Sequence, residues 1–511
     1  MTIGSGQSRD TGTEQIPVTR TRWSSDDEAG RFTVDNPAYG TTLAVVQGAG
    51  VQQVDAAVQA AHQGYLSWSR RTPRERGIVL MAAARTLREH ADEIAAIESS
   101  EVGKPLTQAR GFDLEGAIAT FEFFAGLAGE LPGTGRDSVT TIDITMLHPY
   151  GVIGGIIPFN WPPAHAASKT APALAAGNAV VLKPPEQAPL AIMRMVELIR
   201  EVLPDDVLHV VPGGGAVGGA LAGHPLVRKV SFTGAPSTGA VVMKTAADNL
   251  TPTVMELGGK NPLVVFEDAD VDAALAGAIE GGFFNQGEAC TAASRVLVHE
   301  SIHDEFAARL GAAISKLRVG DGADPATHIG PMVTRAQQKR VLDYISIGQA
   351  EGAVIAAQAP LPDDPALADG FYVAPTMFTS VTPQMRIAKE EIFGPVTTVI
   401  PFRDEAGAIE IANGTDFGLI ATVFTRDSER ALRVGRAIEA GIVFVNGFSR
   451  NIFGIPFGGT KHSGYGREIA AETLREFGYA QTLRLRTGIG TIPRWFAVDE
   501  VLGAAQGPPG M

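Results

Sequence analysis

"AVVLKPPEQAPLAIMRMVELIREVLPDDVLHVVPGGGAVGGALAG", residues 179–223, decides the fold class. Two short runs rich in β-branched residues, "AVVLKP" and "LHVVPG", flank a stretch with apolar residues at helical spacing, "PLAIMRMVELIREVL". A second helical stretch, "GAVGGALAG", follows. Such alternation predicts a parallel sheet with helices on its faces. The pattern extends outward. "YGVIGGII", "KVSFTG", "NPLVVF" and "RVLVHE" read as strands, and "AHAASKTAPALAAG" and "PSTGAVVMKTAAD" as helices. After about residue 300 it resumes with "EFAARLGAAISKL" and "RAQQKRVLDYISIGQAEG", so two α/β lobes are expected. Upstream, "VQQVDAAVQAAHQGYLSWS" and "RERGIVLMAAARTLREHADEIAAIESSEVGKP" are helical. "TTIDITML" and "AQTLRLRT" behave differently: they alternate polar and apolar residues, as half-buried antiparallel strands do. They suggest a separate flap or an assembly surface. The first dozen residues and the tail "GAAQGPPGM" are expected to be loose.

A chain of 511 residues is long enough for two or three domains around a large core. With 45% hydrophobic and 19% charged residues it reads as a globular enzyme and not as a disordered protein. A net charge of −14 argues against nucleic acid or an anionic membrane as main partner, since both need a basic face. One cysteine forms no intrachain disulfide, which fits a reducing compartment. The polar start lacks the apolar run of an export signal, and no stretch is long enough to span a bilayer. A cytoplasmic protein is expected.

Three motifs admit a bland reading. "GGGAVG", with Gly213, Gly215 and Gly218, has dinucleotide-fingerprint spacing, but no acid stands about 20 residues on. A glycine-rich turn between strand and helix is the simpler reading. "HESIH", His299 to His303, has the spacing of a zinc-hydrolase motif. Yet "RVLVHE" reads as a strand ending at His299, and Ser301 as the cap of the next helix, which would put the histidines on different elements. A zinc hydrolase using His299 and His303 is one alternative function, tested by stoichiometric zinc in the purified protein. The basic helix "RERGIVLMAAARTLREH" reads as a solvated face because acids interleave.

Cys290, the one cysteine, lies in "FFNQGEACTAASR" among Gln286, Gly287, Glu288, Ala289 and Thr291, which form no core stripe. A lone cysteine is commonly a small buried hydrophobe. Here the amide- and glycine-rich run reads as a loop giving backbone freedom near a reacting atom. A thiolate there attacks a carbonyl carbon, and its own N–H faces the oxyanion that forms. Glu256, ending an apolar run beside Gly258 and Gly259, is a plausible base.

At this point the motifs carry a resemblance. "PFNWP", "GNAVVLKPPEQAP", "VSFTGAPSTG", "MELGGKNP", "FFNQGEAC", "EEIFGPV", "VNGFSRNIFGIPFGG" and "KHSGYGRE" occur in this order from Phe159 to Glu468. Together they resemble the aldehyde dehydrogenase superfamily, of the hydrolytic kind. The resemblance implies a Rossmann-like NAD-binding domain (1–130 and 150–257) and a catalytic domain (258–458). It also implies a β-ribbon for self-association as dimer or tetramer (131–149 and 472–490), and a tail (491–511). It implies that Cys290 is the nucleophile, giving a thiohemiacetal and then a thioester. Asn160 joins the oxyanion hole, and Glu256 activates water; acylating relatives that use coenzyme A typically lack this acid. Lys183 and Glu186 hold the adenosine ribose, Glu391 and Phe393 the nicotinamide ribose and ring, and Gly234 and Gly239 face the pyrophosphate. Pro158, Phe159, Trp161, Leu257 and Gly258 fall on the cofactor side too. NAD is expected over NADP, because Glu186 would oppose a 2′-phosphate. One departure is Ala235, where relatives often carry a phosphate-binding serine; Ser237 is the substitute on offer.

For the substrate, Trp161, His165, Ser168, Phe284, Ala289, Thr291 and the loop "GFSRNIF" should form the pocket. Trp161 and Phe284 suggest an apolar or aromatic aldehyde. Arg450 keeps a carboxylate-bearing semialdehyde open, since a guanidinium grips a carboxylate bidentately. Against it, Ser168 stands where succinate semialdehyde-using relatives often have arginine.

Overall fold

The computed structural model describes residues 30–129, 133–449, 453–490, 492 and 495–503. Most of the tail, including nearly all of "GAAQGPPGM", the first dozen residues and Arg450 lie outside them.

A six-stranded sheet runs in the order Gly464–Tyr465, Thr253–Glu256, Val227–Thr233, Val152–Ile156, Ala179–Lys183, Leu208–Val210. All neighbours are parallel except the Gly464–Tyr465 edge. Every residue of Val152–Ile156 and Ala179–Lys183 is buried, as continuous apolar runs covered on both faces must be. The chain builds outward from Val152–Ile156 in one direction, then returns to place Val227–Thr233 on its other side. That reversal opens a crevice at the C-terminal strand ends, where parallel sheets bind ligands. Pro158 to Asn160 leave the sheet on one side of it and Gly234 on the other.

A seven-stranded sheet runs Val354–Gln358, Thr376–Thr379, Val396–Phe402, Arg295–His299, Pro262–Val265, Ile420–Phe424, Ile442–Val445. It is parallel apart from the Val354–Gln358 edge. The two odd runs meet in a third, antiparallel sheet: Gly478–Arg486 pairs along Thr141–Pro149, with Thr134–Asp137 outside. Arg484 grips Asp143 through Nε and Nη2 at 2.7 and 3.0 Å, a cross-strand pair that fixes this register.

Three local expectations need correcting. The long helix predicted upstream is two, Pro73–Glu89 and Ala91–Val102, because His90 leaves helical geometry (φ −109°, ψ 14°). Thr72 and Glu75 form a capping box at the first. On that helix Arg76 is buried, not solvated, donating Nε to the Ala175 carbonyl at 2.9 Å. Ser301 does not cap the helix after "RVLVHE". That helix begins at His303, and the Ser301 hydroxyl is engaged 2.8 Å from Nδ1 of His299. His299 ends the strand and His303 opens the helix, so the two rings stand on different elements.

Candidate active site

Cys290 ends a tightly wound segment. Asn285, Gln286 and Gly287 are all left-handed, with φ of +53°, +56° and +69°. Two non-glycine residues held there cost about 1–3 kcal/mol each and persist only where the surroundings enforce them. The surroundings do. The Asn285 N–H donates to Oε1 of Gln108 at 3.0 Å, and its Nδ2 donates to the carbonyls of Asn160 and Glu288 at 3.1 and 3.0 Å. Asn261 Nδ2 donates to the Cys290 carbonyl at 2.8 Å. A Cβ on Gly287 would collide with the Gly394 carbonyl. The loop is therefore locked, not free as the glycine and amides suggested, and the thiol is aimed by its frame.

Asn160 sits beside it, clamped through its main chain. Lys104, fully buried, donates from Nζ to the Asn160 carbonyl at 2.6 Å while pairing with Glu98 and Asp113 at 2.7 and 2.6 Å. Asn160 Nδ2 donates one hydrogen to the Glu288 carbonyl at 3.1 Å; an amide has two, so the second is available for an oxyanion.

Glu256 ends its strand with the carboxyl buried and neither oxygen hydrogen-bonded. A Cβ on Gly458 would stand 2.8 Å from Oε1. Burial, then the charge of Glu468, holds this carboxyl well above the usual carboxylate range. Burial, then Glu391 and Glu256, pushes the Cys290 thiol up. Glu391 accepts from the Gly259 N–H at 2.9 Å, and burial raises it to about 7. Gly258 is the residue that permits this approach, since a Cβ there would meet the Glu391 carboxylate.

Two cavities reach Cys290. A tunnel of about 380 Å³ is walled by Phe112, Trp161, His165, Thr291, Phe453 and Phe457. On the other side a groove of about 1010 Å³ runs past Pro158, Phe159, Asn160, Gly234, Ala235, Ser237, Leu257, Gly258, Glu391 and Phe393. Phe393, left-handed at φ +62°, sets its ring edge-on to Phe159 at 5.7 Å.

The Aldehyde dehydrogenase family model matches residues 23–483. The chain belongs to the aldehyde dehydrogenase family. It is similar to aldehyde dehydrogenase citD of Monascus ruber, 48% identical over 96% of this chain and 98% of that protein. It is also similar to a betaine aldehyde dehydrogenase of Mesorhizobium japonicum, 40% identical over 91% and 96%. Among solved structures, PnpE of Pseudomonas sp. WBC-3 in complex with nicotinamide adenine dinucleotide superposes with a TM-score of 0.88, at 38% identity over 91% of this chain and 96% of that one. Betaine aldehyde dehydrogenase of Staphylococcus aureus in complex with NAD+ gives 0.88 at 36% identity, over 92% and 94%.

In this aldehyde dehydrogenase the expected site residues divide. Cys290, Trp161, His165, Ser168 and Thr291 line the tunnel, and Asn160 lines the groove that shares Cys290 with it. Trp161, expected on the cofactor side as well, lines the tunnel and not the groove. Phe284 and Ala289 do not line the tunnel. Phe284 lies behind it, edge-on to the Phe112 ring at 5.2 Å, and Ala289 is buried in the apolar cluster with Cys290. Glu256 lines neither cavity. Lys183, Glu186 and Gly239 lie outside the groove's wall. Burial lowers the Lys183 amine below the usual lysine range. Glu186 rests against Gly214, where a Cβ would stand 2.6 Å from its Oε1. The glycine-rich turn thus makes room for Glu186, a role its spacing did not announce.

Sequence reasoning missed Phe112 and the buried Lys104. Phe112 belongs to a π-helical turn, Ala109–Leu114, that breaks helical periodicity and swings its ring to 5.9 Å from Trp161. It also missed Lys169, whose Nζ bonds Glu468 at 2.9 Å beneath the tunnel. The lysine in "SKT" looked like any helix-face lysine.

Proposed function

We propose that this aldehyde dehydrogenase oxidises a bulky apolar or aromatic aldehyde to its carboxylic acid with NAD, through a Cys290 thioester. The observation that carries this is the meeting of two cavities at one buried thiol, one apolar and of about 380 Å³, one roomy enough at about 1010 Å³ for a dinucleotide. The groove fits NAD chemically. Glu391 is stationed for ribose hydroxyls, Phe159 and Phe393 offer ring faces, and the helix starting at Pro236 turns free N–H groups toward the groove. Ala235 at its N-cap leaves those N–H groups without a side-chain acceptor.

The Cys290 thiol gives up its proton to solvent in the groove, and the thiolate sulfur attacks the aldehyde carbon as the carbonyl π pair moves onto oxygen. Asn160 Nδ2 and the Cys290 N–H receive the oxyanion, forming the thiohemiacetal. NAD, when bound, supplies the hydride acceptor that converts this adduct to a thioester. Glu256 then takes a proton from water, which attacks the thioester carbonyl and frees the thiol and the carboxylate product. No hydrogen bond pins the Glu256 carboxyl, so it can turn toward the thioester from beside the tunnel. The domain division stated from the sequence (1–130 with 150–257, and 258–458) belongs to this reading: the six-stranded sheet would carry cofactor and the seven-stranded sheet the thiol.

An apolar substrate is favoured over a semialdehyde because the described tunnel wall holds no cationic side chain. A panel of aldehydes with NAD and NADP, followed by absorbance of the reduced cofactor, tests the reading; no turnover with any aldehyde would overturn it. In the same assay NAD should be preferred. Glu186 would face a 2′-phosphate with like charge, worth about 1 kcal/mol or roughly tenfold in affinity. Glu186→Gln should move the kcat/KM ratio toward NADP, and an unmoved ratio would show that Glu186 does not discriminate.

We also infer self-association through the three-stranded sheet. Ile142, Ile144, Leu483 and Leu485 expose apolar side chains on it, and edges of this kind invite pairing. Light scattering is expected to show a dimer or tetramer, and a monomer at micromolar concentration would refute it. Among the described residues no helix is long and apolar enough to cross a membrane.

A further inference from the structure

The tunnel wall is aromatic, yet three of its side chains carry a buried polar atom with no hydrogen-bond partner: Nε1 of Trp161, Nε2 of His165 and Oγ1 of Thr291. Buried polar groups are nearly always paired, and leaving one unmet costs about 1–3 kcal/mol. Three together along one cavity are partners held in reserve for its occupant. Trp161 is the N-cap of the helix Pro162–Ala175 and its carbonyl accepts from the His165 N–H at 2.9 Å, which sets the two rings with centroids 5.9 Å apart. Trp161 follows Asn160 directly, so the pair begins at the oxyanion amide and runs away from it along the tunnel.

We infer that the tunnel takes an uncharged aromatic aldehyde bearing a hydroxyl or similar hydrogen-bonding group on its ring, with the ring among Phe112, Trp161 and Phe457 and the hydroxyl held by Nε2 of His165. This rests on the proposed function and refines its substrate. The carboxyl and imidazole groups around the tunnel agree with it. Burial, then the positive charge of Lys169, pulls His165 down to about 3, so its ring is neutral and accepts from or donates to a hydroxyl according to tautomer. A neutral ring gives no anchor for a carboxylate. Glu468, the acid that lines the wall beside it, is already paired with Lys169 and lies 3.1 Å from the Ser168 hydroxyl. A trimethylammonium aldehyde would find aromatic faces, but beyond its reacting carbonyl it has neither donor nor acceptor to meet the three polar atoms.

The test compares meta- and para-hydroxybenzaldehyde with the corresponding methylbenzaldehydes, which match them in size. In the wild type the better hydroxyl isomer should exceed its methyl counterpart about tenfold in kcat/KM, the worth of one buried neutral hydrogen bond. In His165→Phe that ratio should fall to about one, and His165→Gln should restore part of it. Equal rates for hydroxyl and methyl isomers in the wild type would overturn the inference while leaving the proposed function standing. So would a ratio unchanged in His165→Phe, or a betaine aldehyde or succinate semialdehyde used better than every hydroxybenzaldehyde. Cofactor binding without oxidation of any aldehyde would remove both readings.

Discussion

Cys290→Ala should abolish aldehyde oxidation, lowering kcat by about a thousandfold or more, while leaving fold and cofactor affinity in place. The thiol makes the one covalent bond to substrate in the proposed cycle, and no other cysteine exists to replace it. Its framework does not depend on the sulfur. Asn261 holds the Cys290 carbonyl, Asn285 those of Asn160 and Glu288, and the side chain opens onto two cavities, so removing one atom leaves no sealed void. The expected stability change is about 1 kcal/mol or less. Turnover above about a thousandth of wild type, with an unchanged melting temperature, would assign the chemistry elsewhere.

The alternation of strand and helix around residues 179–223 was legible because parallel strands buried on both faces must be short apolar runs, and their crossovers must be amphipathic. The pairing of Thr141–Pro149 with Gly478–Arg486 was legible as two alternating strands, though 337 residues separate Thr145 from its cross-strand neighbour Thr482. Motifs single out Cys290, Asn160 and Glu256, and the fold brings the first two to one groove, while Glu256 lines neither cavity. The site was illegible where tertiary packing decides. Phe112 reaches the tunnel only because a π-turn rotates it there, and helical periodicity has no term for that. Lys104 follows a glycine and precedes a proline, a sequence setting typical of a surface turn, yet it is fully buried between Glu98 and Asp113. Phe284 reads as a pocket aromatic and stands one layer back, because Phe112 takes the place in front of it. The mobility inferred for "NQGEA" failed for a related reason. Amides there serve as internal donors that lock the backbone, and composition does not tell a donor that faces solvent from one that faces a carbonyl.

Glu256→Gln should separate the two halves of the reaction. The substitution is nearly isosteric and replaces a carboxyl whose charged form is disfavoured by burial with a neutral amide, so the first half should survive. Mixing with aldehyde and NAD should give a burst of reduced cofactor of about one per active site, then turnover slowed about 10²–10⁴-fold as the thioester accumulates. The pH dependence follows from the same carboxyl. Burial raises Glu256, so the ionised base is scarce at low pH and appears as pH rises through its elevated range. Wild-type steady-state kcat should therefore climb with pH on the alkaline side of an ordinary carboxylate, and wild type at low pH should show the same burst as the mutant. In Glu256→Gln that limb should vanish. The thiol titrates too, since burial pushes Cys290 up, but its ionisation governs the burst rate, which the mutant retains. If Glu256 instead deprotonated Cys290, the burst would slow along with turnover and no thioester would build up. A mutant with no burst and wild-type steady-state rate would remove Glu256 from the hydrolytic step altogether.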